Sequence, residues 1–208
     1  MNVIPAILVK NKKEFKEKIK LISKYSDIFQ IDVMDGKFVP NITWADTDII
    51  EHMHLPLLYE AHLMIEDPYI IIEDWVRAGA FRIIFHIEST KKALDCIKKI
   101  KKYKKEAGVA INPNTSIIKI KDLLLKLDYV LVMGVTPGFS GQKFQPQVLA
   151  KIKKIKKLAP NIVIAVDGGV NLKNAKEIKK AGADIISVAS TIFKAKDPGR
   201  VIEKLESI

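Results

Sequence analysis

Three observations predict a (β/α)8 barrel. Eight short apolar runs alternate with eight charged, amphipathic segments along 208 residues, leaving about 26 residues per pair, close to the least a strand–helix unit needs. Polar residues gather where the apolar runs end, which is where such a barrel carries its functional groups. The first run leads into "LVKNKKEF", without the glycine-rich turn that opens a doubly wound nucleotide-binding sheet. No low-complexity linker divides the chain, so a single domain over 1–208 is expected.

Taken in order, the first strand is expected at Val3–Leu8, followed by a charged helical pattern near 12–23. Ile28–Met34 is the second strand. Its period-2 alternation puts Phe29, Ile31 and Val33 on one face and Ile28, Gln30, Asp32 and Met34 on the other. The apolar face packs outward against helices, so Gln30 and Asp32 point into the barrel, while Asp35 lies beyond the strand in the turn opened by Gly36. A helical pattern near 46–52 precedes the third strand, Leu57–Met64, which carries His62 near its end. The fourth strand, Arg82–His86, follows a pattern near 69–78 and ends in His86 and Glu88. The fifth, Gly108–Asn112, follows a pattern near 90–105 and ends in Asn112 and Asn114. Tyr129–Gly134, Ile162–Asp167 and Ile185–Ala189 complete the set, after patterns near 116–124, 147–158 and 171–180, with a last helix near 197–206. Asp167 closes the seventh strand, and Ser187 and Ser190 mark the eighth.

Composition narrows the class. The chain is 48% hydrophobic and 28% charged, as in a globular protein, and no apolar run approaches the roughly 18 residues a membrane span needs. The start "MNVIPAILVKNKKEF" has no cationic stretch before its short apolar run, so no signal peptide is expected. The lone Cys96 permits no internal disulfide and fits a reducing cytoplasm; it is expected as a half-buried, unreactive thiol. The net charge of +11 comes largely from lysines clustered at 98–105 and 151–157. These alternate with Ile, Tyr or Leu at helical spacing, the pattern of a helix with an apolar stripe and a solvated basic face. A nucleic-acid surface would favour arginine or aromatics there, so the excess charge suits anionic small molecules instead. His52 and His54 in "EHMHLP" are expected as solvated loop histidines at the other end of the barrel.

Asp32, His62 and Asp167 converge on one barrel end. One imidazole with two carboxylates suits a divalent metal ion. Equally, two carboxylates from opposite sides of a barrel can reach opposite faces of one carbon as base and acid. A buried Asp–His pair that only holds the barrel end together is the third reading.

Seven stretches in order carry a resemblance to the ribulose-phosphate 3-epimerases: "IDVMDGKFVPN" (31–41), "HLMIEDP" (62–68), "HIES" (86–89), "INPNT" (111–115), "VMGVTPGFSGQKF" (132–144), "VDGGVN" (166–171) and "AGADIISVASTIF" (181–193). The resemblance implies a TIM barrel of the ribulose-phosphate-binding type that interconverts D-ribulose 5-phosphate and D-xylulose 5-phosphate. The proton at C3 would be removed and returned through an enediolate, with Asp32 and Asp167 as the catalytic pair. One divalent ion (zinc, manganese or iron) would act as Lewis acid, held by Asp32, His62, Asp167 and the residue at position 30. Met34, Met64 and Met133 match methionines that cap the intermediate. The substrate and its phosphate would lie against His62, Gly138, Phe139, Ser140, Gly141, Asp167, Gly168, Gly169, Ala189 and Ser190. A phosphorylated ketose partner and a homo-oligomer also follow from the resemblance; the apolar turn around Trp44 is expected to be exposed as a contact, and the cysteine usage sets the expected location as cytoplasmic.

Three positions depart from that pattern. Gln30 stands where a metal-binding His is usual, Ala6 where a substrate-contacting Ser is expected, and Ala189-Ser190 where a Gly-Ser pair is usual. A neutral amide oxygen is a harder and weaker donor than imidazole, so Gln30 favours manganese, magnesium or iron over zinc, or loose binding. The sequence leaves open a six-carbon ketose phosphate such as allulose 6-phosphate, or a homologue that binds sugar phosphates with impaired catalysis. Decarboxylases and aldol-type synthases of related barrels carry Asp-x-Lys-x-x-Asp; Met34 stands here where that lysine would be.

Overall fold

The computed structural model describes residues 1–208. Eight strands close into a parallel barrel in the order β1 to β8, with β8 pairing back onto β1. They are β1 Asn2–Ile7, β2 Ile28–Met34, β3 Leu58–Met64, β4 Arg82–His86, β5 Glu106–Ile111, β6 Tyr129–Met133, β7 Val163–Asp167 and β8 Ile185–Val188. The helices are α1 Lys12–Ile22, α2 Thr47–Glu51, α3 Ile72–Arg77, α4 Ala93–Lys102, α5 Ile118–Lys121, α6 Val148–Leu158, α7 Ala175–Lys180, α8 Ser190–Phe193 and α9 Pro198–Glu206. None is long and apolar enough to cross a membrane.

Local chemistry explains where the helices start. Asn11 accepts the Glu14 N–H at 2.9 Å, satisfying one of the free donors at the start of α1. Phe15, Ile19 and Ile22 then recur on one face and are buried. Asp197 caps α9 in the same way, with Pro198 at its first position.

The core has two compartments. Between barrel and helices, one large cluster includes Phe29, Ile31 and Val33 of β2, packed with Phe15 of α1. Inside the barrel, Ile4, Ile84, Ala110, Tyr129, Leu131, Met133, Ala165 and Ile185 form a second apolar cluster. The outward face of β2 is therefore apolar as its alternation requires, and Gln30, Asp32 and Met34 point inward.

Several boundaries differ from expectation. The pattern near 171–180 yields helix only from Ala175. Asn174 accepts the Asn171 N–H and donates to Gly169 O, a local turn that competes with helix. The pattern near 116–124 breaks into α5 and a 3-10 turn at Leu124–Lys126. Strand β5 begins two residues early, because Glu106 pairs in register with Arg82. Trp44 is half-buried rather than exposed, packed against Phe15 with ring centroids 5.2 Å apart, and Ile42 is the exposed residue of that turn. Cys96 is fully buried rather than half-buried, and burial pushes its thiol up to about 12. His52 and His54 are exposed.

Candidate active site

Strands β2, β3 and β7 end with Asp32, His62 and Asp167 facing inward at one level, where Asp32 is the register partner of His62. All three are buried, and their potential ligand atoms lie within 4.8 Å of one another. His62 Nδ1 is 3.0 Å from Asp32 Oδ1 and 3.4 Å from Asp167 Oδ2. Gln30 lies one inward position below, with its Nε2 donating to Asp32 Oδ1 and to Asp167 Oδ2, each at 2.8 Å.

Burial raises the Asp32 carboxyl, with the Asp167 charge adding to the effect against the opposing hydrogen bonds from His62 and Gln30. Burial alone would lower the His62 imidazole, but its contacts with Asp167 and Asp32 outweigh that and raise it to about 9. The other face of His62 meets His86, Nε2 to Nε2 at 2.9 Å. Burial lowers His86 to about 4, so it is the neutral member and accepts from His62. Its Nδ1 then donates to Glu88 Oε2 at 3.3 Å, and Glu88 is itself fixed by the Asn112 N–H at 2.9 Å. The chain Glu88–His86–His62 thus fixes the tautomer and the direction of the ring that faces the carboxylates.

Asp32 and Asp167 open onto a cleft at this end of the barrel. Met34, Met64 and Met133 line it beside the carboxylates. Three loops also line it: Gly138, Phe139, Ser140 and Gly141 after β6, Gly168 and Gly169 after β7, and Ala189 and Ser190 after β8. Gly168 and Gly169 have φ of 98° and 70°, and a Cβ on Gly169 would lie 2.6 Å from the Phe144 nitrogen. Only glycine permits that path. Asn41 Nδ2 holds the neighbouring loop by donating to Gly138 O at 2.7 Å, and Phe139 is 55% exposed over the opening. His62 and Gln30 do not border the cleft; they support the carboxylates from behind. Every residue expected at the site lies at this barrel end.

One nitrogen and two carboxylates so placed fit a divalent ion. The fit has a further sign: Gln30 Oε1 is buried without a hydrogen-bond partner and is available as a fourth donor, the third oxygen, if the amide turns. The sequence pointed to His86 and Glu88 as strand-end polar residues but gave them no role. The cue was "HIES", with its His one inward position beyond Ile84, the register partner of His62 on the adjacent strand. Ser187, which borders the cleft with its hydroxyl unpartnered, was likewise left without a role.

A parallel eight-stranded barrel with acids at the strand ends and a glycine-rich wall opposite them has the arrangement of a TIM-barrel enzyme. The chain belongs to the ribulose-phosphate 3-epimerase family, whose model matches residues 2–193. It is 42% identical over 191 residues to the ribulose-phosphate 3-epimerase of Aquifex aeolicus, covering 88% of this chain and 85% of that one. It is 38% identical over 215 residues to that of Bacillus subtilis, covering 99% and 98%. Among solved structures, 3-hexulose-6-phosphate synthase from Salmonella typhimurium superposes with a TM-score of 0.75 at 19% identity, over 100% of this chain and 97% of that one. The 3-keto-L-gulonate-6-phosphate decarboxylase of Vibrio cholerae gives 0.74 at 15% identity, over 100% and 95%. These two likenesses concern the barrel alone.

Proposed function

We propose that this chain interconverts D-ribulose 5-phosphate and D-xylulose 5-phosphate. The observation that carries the reading is the pairing of Asp32 and Asp167, from strands on two sides of the barrel, at the mouth of one cleft whose other wall is a glycine-built cradle. A proton on C3 is acidified by the adjacent C2 carbonyl. One carboxylate takes it from one face of the carbon, and the other gives a proton back to the opposite face. Burial of Asp32 strengthens it as a base relative to an ordinary carboxylate. Asp32, His62 and Asp167 would hold a divalent ion (zinc, manganese or iron), which would supply Lewis-acid stabilisation of the developing oxyanion. Met34, Met64 and Met133 give the reacting carbon an apolar, polarisable wall that keeps water from the carbanion. Backbone N–H groups of Gly138–Gly141, Gly168–Gly169 and Ala189–Ser190 receive the phosphate and set the distance from it to the reacting carbon.

The test is product formation from D-ribulose 5-phosphate, with allulose 6-phosphate as competitor and with chelation followed by return of each metal. Conversion to D-xylulose 5-phosphate that is lost on chelation and restored by an ion supports the reading. Conversion of allulose 6-phosphate alone would reassign the substrate.

A further inference from the structure

Gln30 stands in a relation to the site that an ordinary buried glutamine does not. Its side chain is fully buried. Both protons of its amide nitrogen are used on carboxylates, one on Asp32 and one on Asp167. The same nitrogen lies 3.4 Å from His62 Nδ1, so it reaches all three groups that suit a divalent ion. Its oxygen meanwhile has no partner, although a buried acceptor left unmatched is unfavourable. The orientation is explained by the carboxylates: two acids this close repel unless a donor or a cation lies between them.

We propose that Gln30 is a turnover gate for the cation. Without an ion, its NH2 group cross-links Asp32 and Asp167 and stands in for the missing positive charge. An incoming divalent ion competes for the same oxygens, and the positive end of the amide opposes it. Entry therefore requires the amide to turn over about its last side-chain bond. That motion withdraws the N–H groups and brings Oε1 inward as a neutral oxygen donor. Ion affinity is consequently lower than in a site with no competing donor, and an oxygen in place of an imidazole narrows the preference for zinc over manganese. The inference rests on Asp32, His62 and Asp167 as holders of the ion, and not on which ketose is the substrate.

The experiment follows the Gln30 side-chain amide by NMR in 15N-labelled wild-type protein stripped of metal, while Mg²⁺ or Zn²⁺ is added and the melting temperature is read in parallel. The Gln30→Glu variant assigns the resonance. The NH2 pair is expected to be protected from solvent exchange at first, and to shift and lose that protection over the ion concentrations that raise the melting temperature. Gln30→Glu keeps an oxygen and removes the N–H donors. Its metal-free form should melt several degrees lower, and it should bind Mn²⁺ about tenfold or more tightly than wild type. Gln30→His should raise the ratio of zinc to manganese affinity by a similar factor. An amide resonance that stays in place while an ion raises the melting temperature would overturn the proposal, as would no binding of any of these ions at millimolar concentration. The wild-type spectra decide the matter even if a variant does not fold. Amide turnover in a protein that does not epimerise ribulose 5-phosphate would break the functional reading and leave this one standing.

Discussion

The barrel carries a charged cluster at each end, and the two are built on different rules. Towards the N-terminal end, Arg82 of β4 donates from Nη1 to Glu60 at 2.5 Å and from Nη2 to Glu106 at 2.7 Å. Its guanidinium lies 3.9 Å from the centre of the Tyr129 ring. Glu60 is completely buried, and burial raises it to about 7 despite Arg82. A permanent cation thus sits between buried Glu60 and exposed Glu106, stacked on an aromatic ring. At the C-terminal end, Asp32 and Asp167 face a cleft and are held by an amide and a titratable imidazole, with no permanent cation among them. A permanent guanidinium away from any cleft marks the structural end of the barrel, and acids held by an amide and a titratable imidazole beside a cleft mark the working end.

The comparison breaks most readily at the carboxylates. Asp32→Asn and Asp167→Asn should each lower kcat/KM by about 10³-fold or more, with the melting temperature kept, since each relieves repulsion between the acids. If either variant keeps near-wild-type turnover in a coupled assay, the upper cluster is not the catalytic one. His86→Ala removes the acceptor that orients His62 and should cost about 10–100-fold in turnover or metal affinity; unchanged kinetics would show that the Glu88–His86 chain is only packing.

Arg82→Met should reverse the balance of effects. It leaves Glu60 buried without its cation and should cost about 3–5 kcal/mol of stability, while kcat of the folded protein stays within about threefold. The pH dependence has a definite sign. An unfolded Glu releases its proton near 4.5, whereas folded Glu60 holds it to about 7. The stabilisation from that retained proton is complete below 4.5 and is lost as pH rises through 7. Without Arg82 the folded group holds its proton still higher, so the loss relative to wild type in urea unfolding should grow as pH rises above about 7. A loss that is flat with pH would argue against Glu60 as its source. Replacing exposed His52 and His54 together with Ala should change neither metal binding nor turnover.

Much of this was legible in the residues, for a physical reason. Period-2 alternation says which side of a strand faces inward, and in a barrel the inward side at a strand's C-terminal end is the site. That reasoning singled out Asp32, His62 and Asp167 together. It says nothing of contacts made across the barrel, which depend on closure and register. The bridge from Gln30 to Asp167, 137 residues away, and the His62–His86 contact were hidden for that reason. So was the lower cluster, because Glu60 and Arg82 sit in apolar runs where charge reads as an interruption. The helix expected from 171 was lost to a local rule, the asparagine turn at Asn171–Asn174.

The most direct measurement is proton NMR of D-ribulose 5-phosphate in D2O, following the C3 proton with wild type, Asp32→Asn, Asp167→Asn and Arg82→Met, before and after chelation. The account predicts exchange of that proton with solvent in wild type and in folded Arg82→Met, lost on chelation and restored by a divalent ion, and none in either aspartate variant. Exchange that persists in an aspartate variant, or that is absent from the ion-loaded wild type, would contradict it.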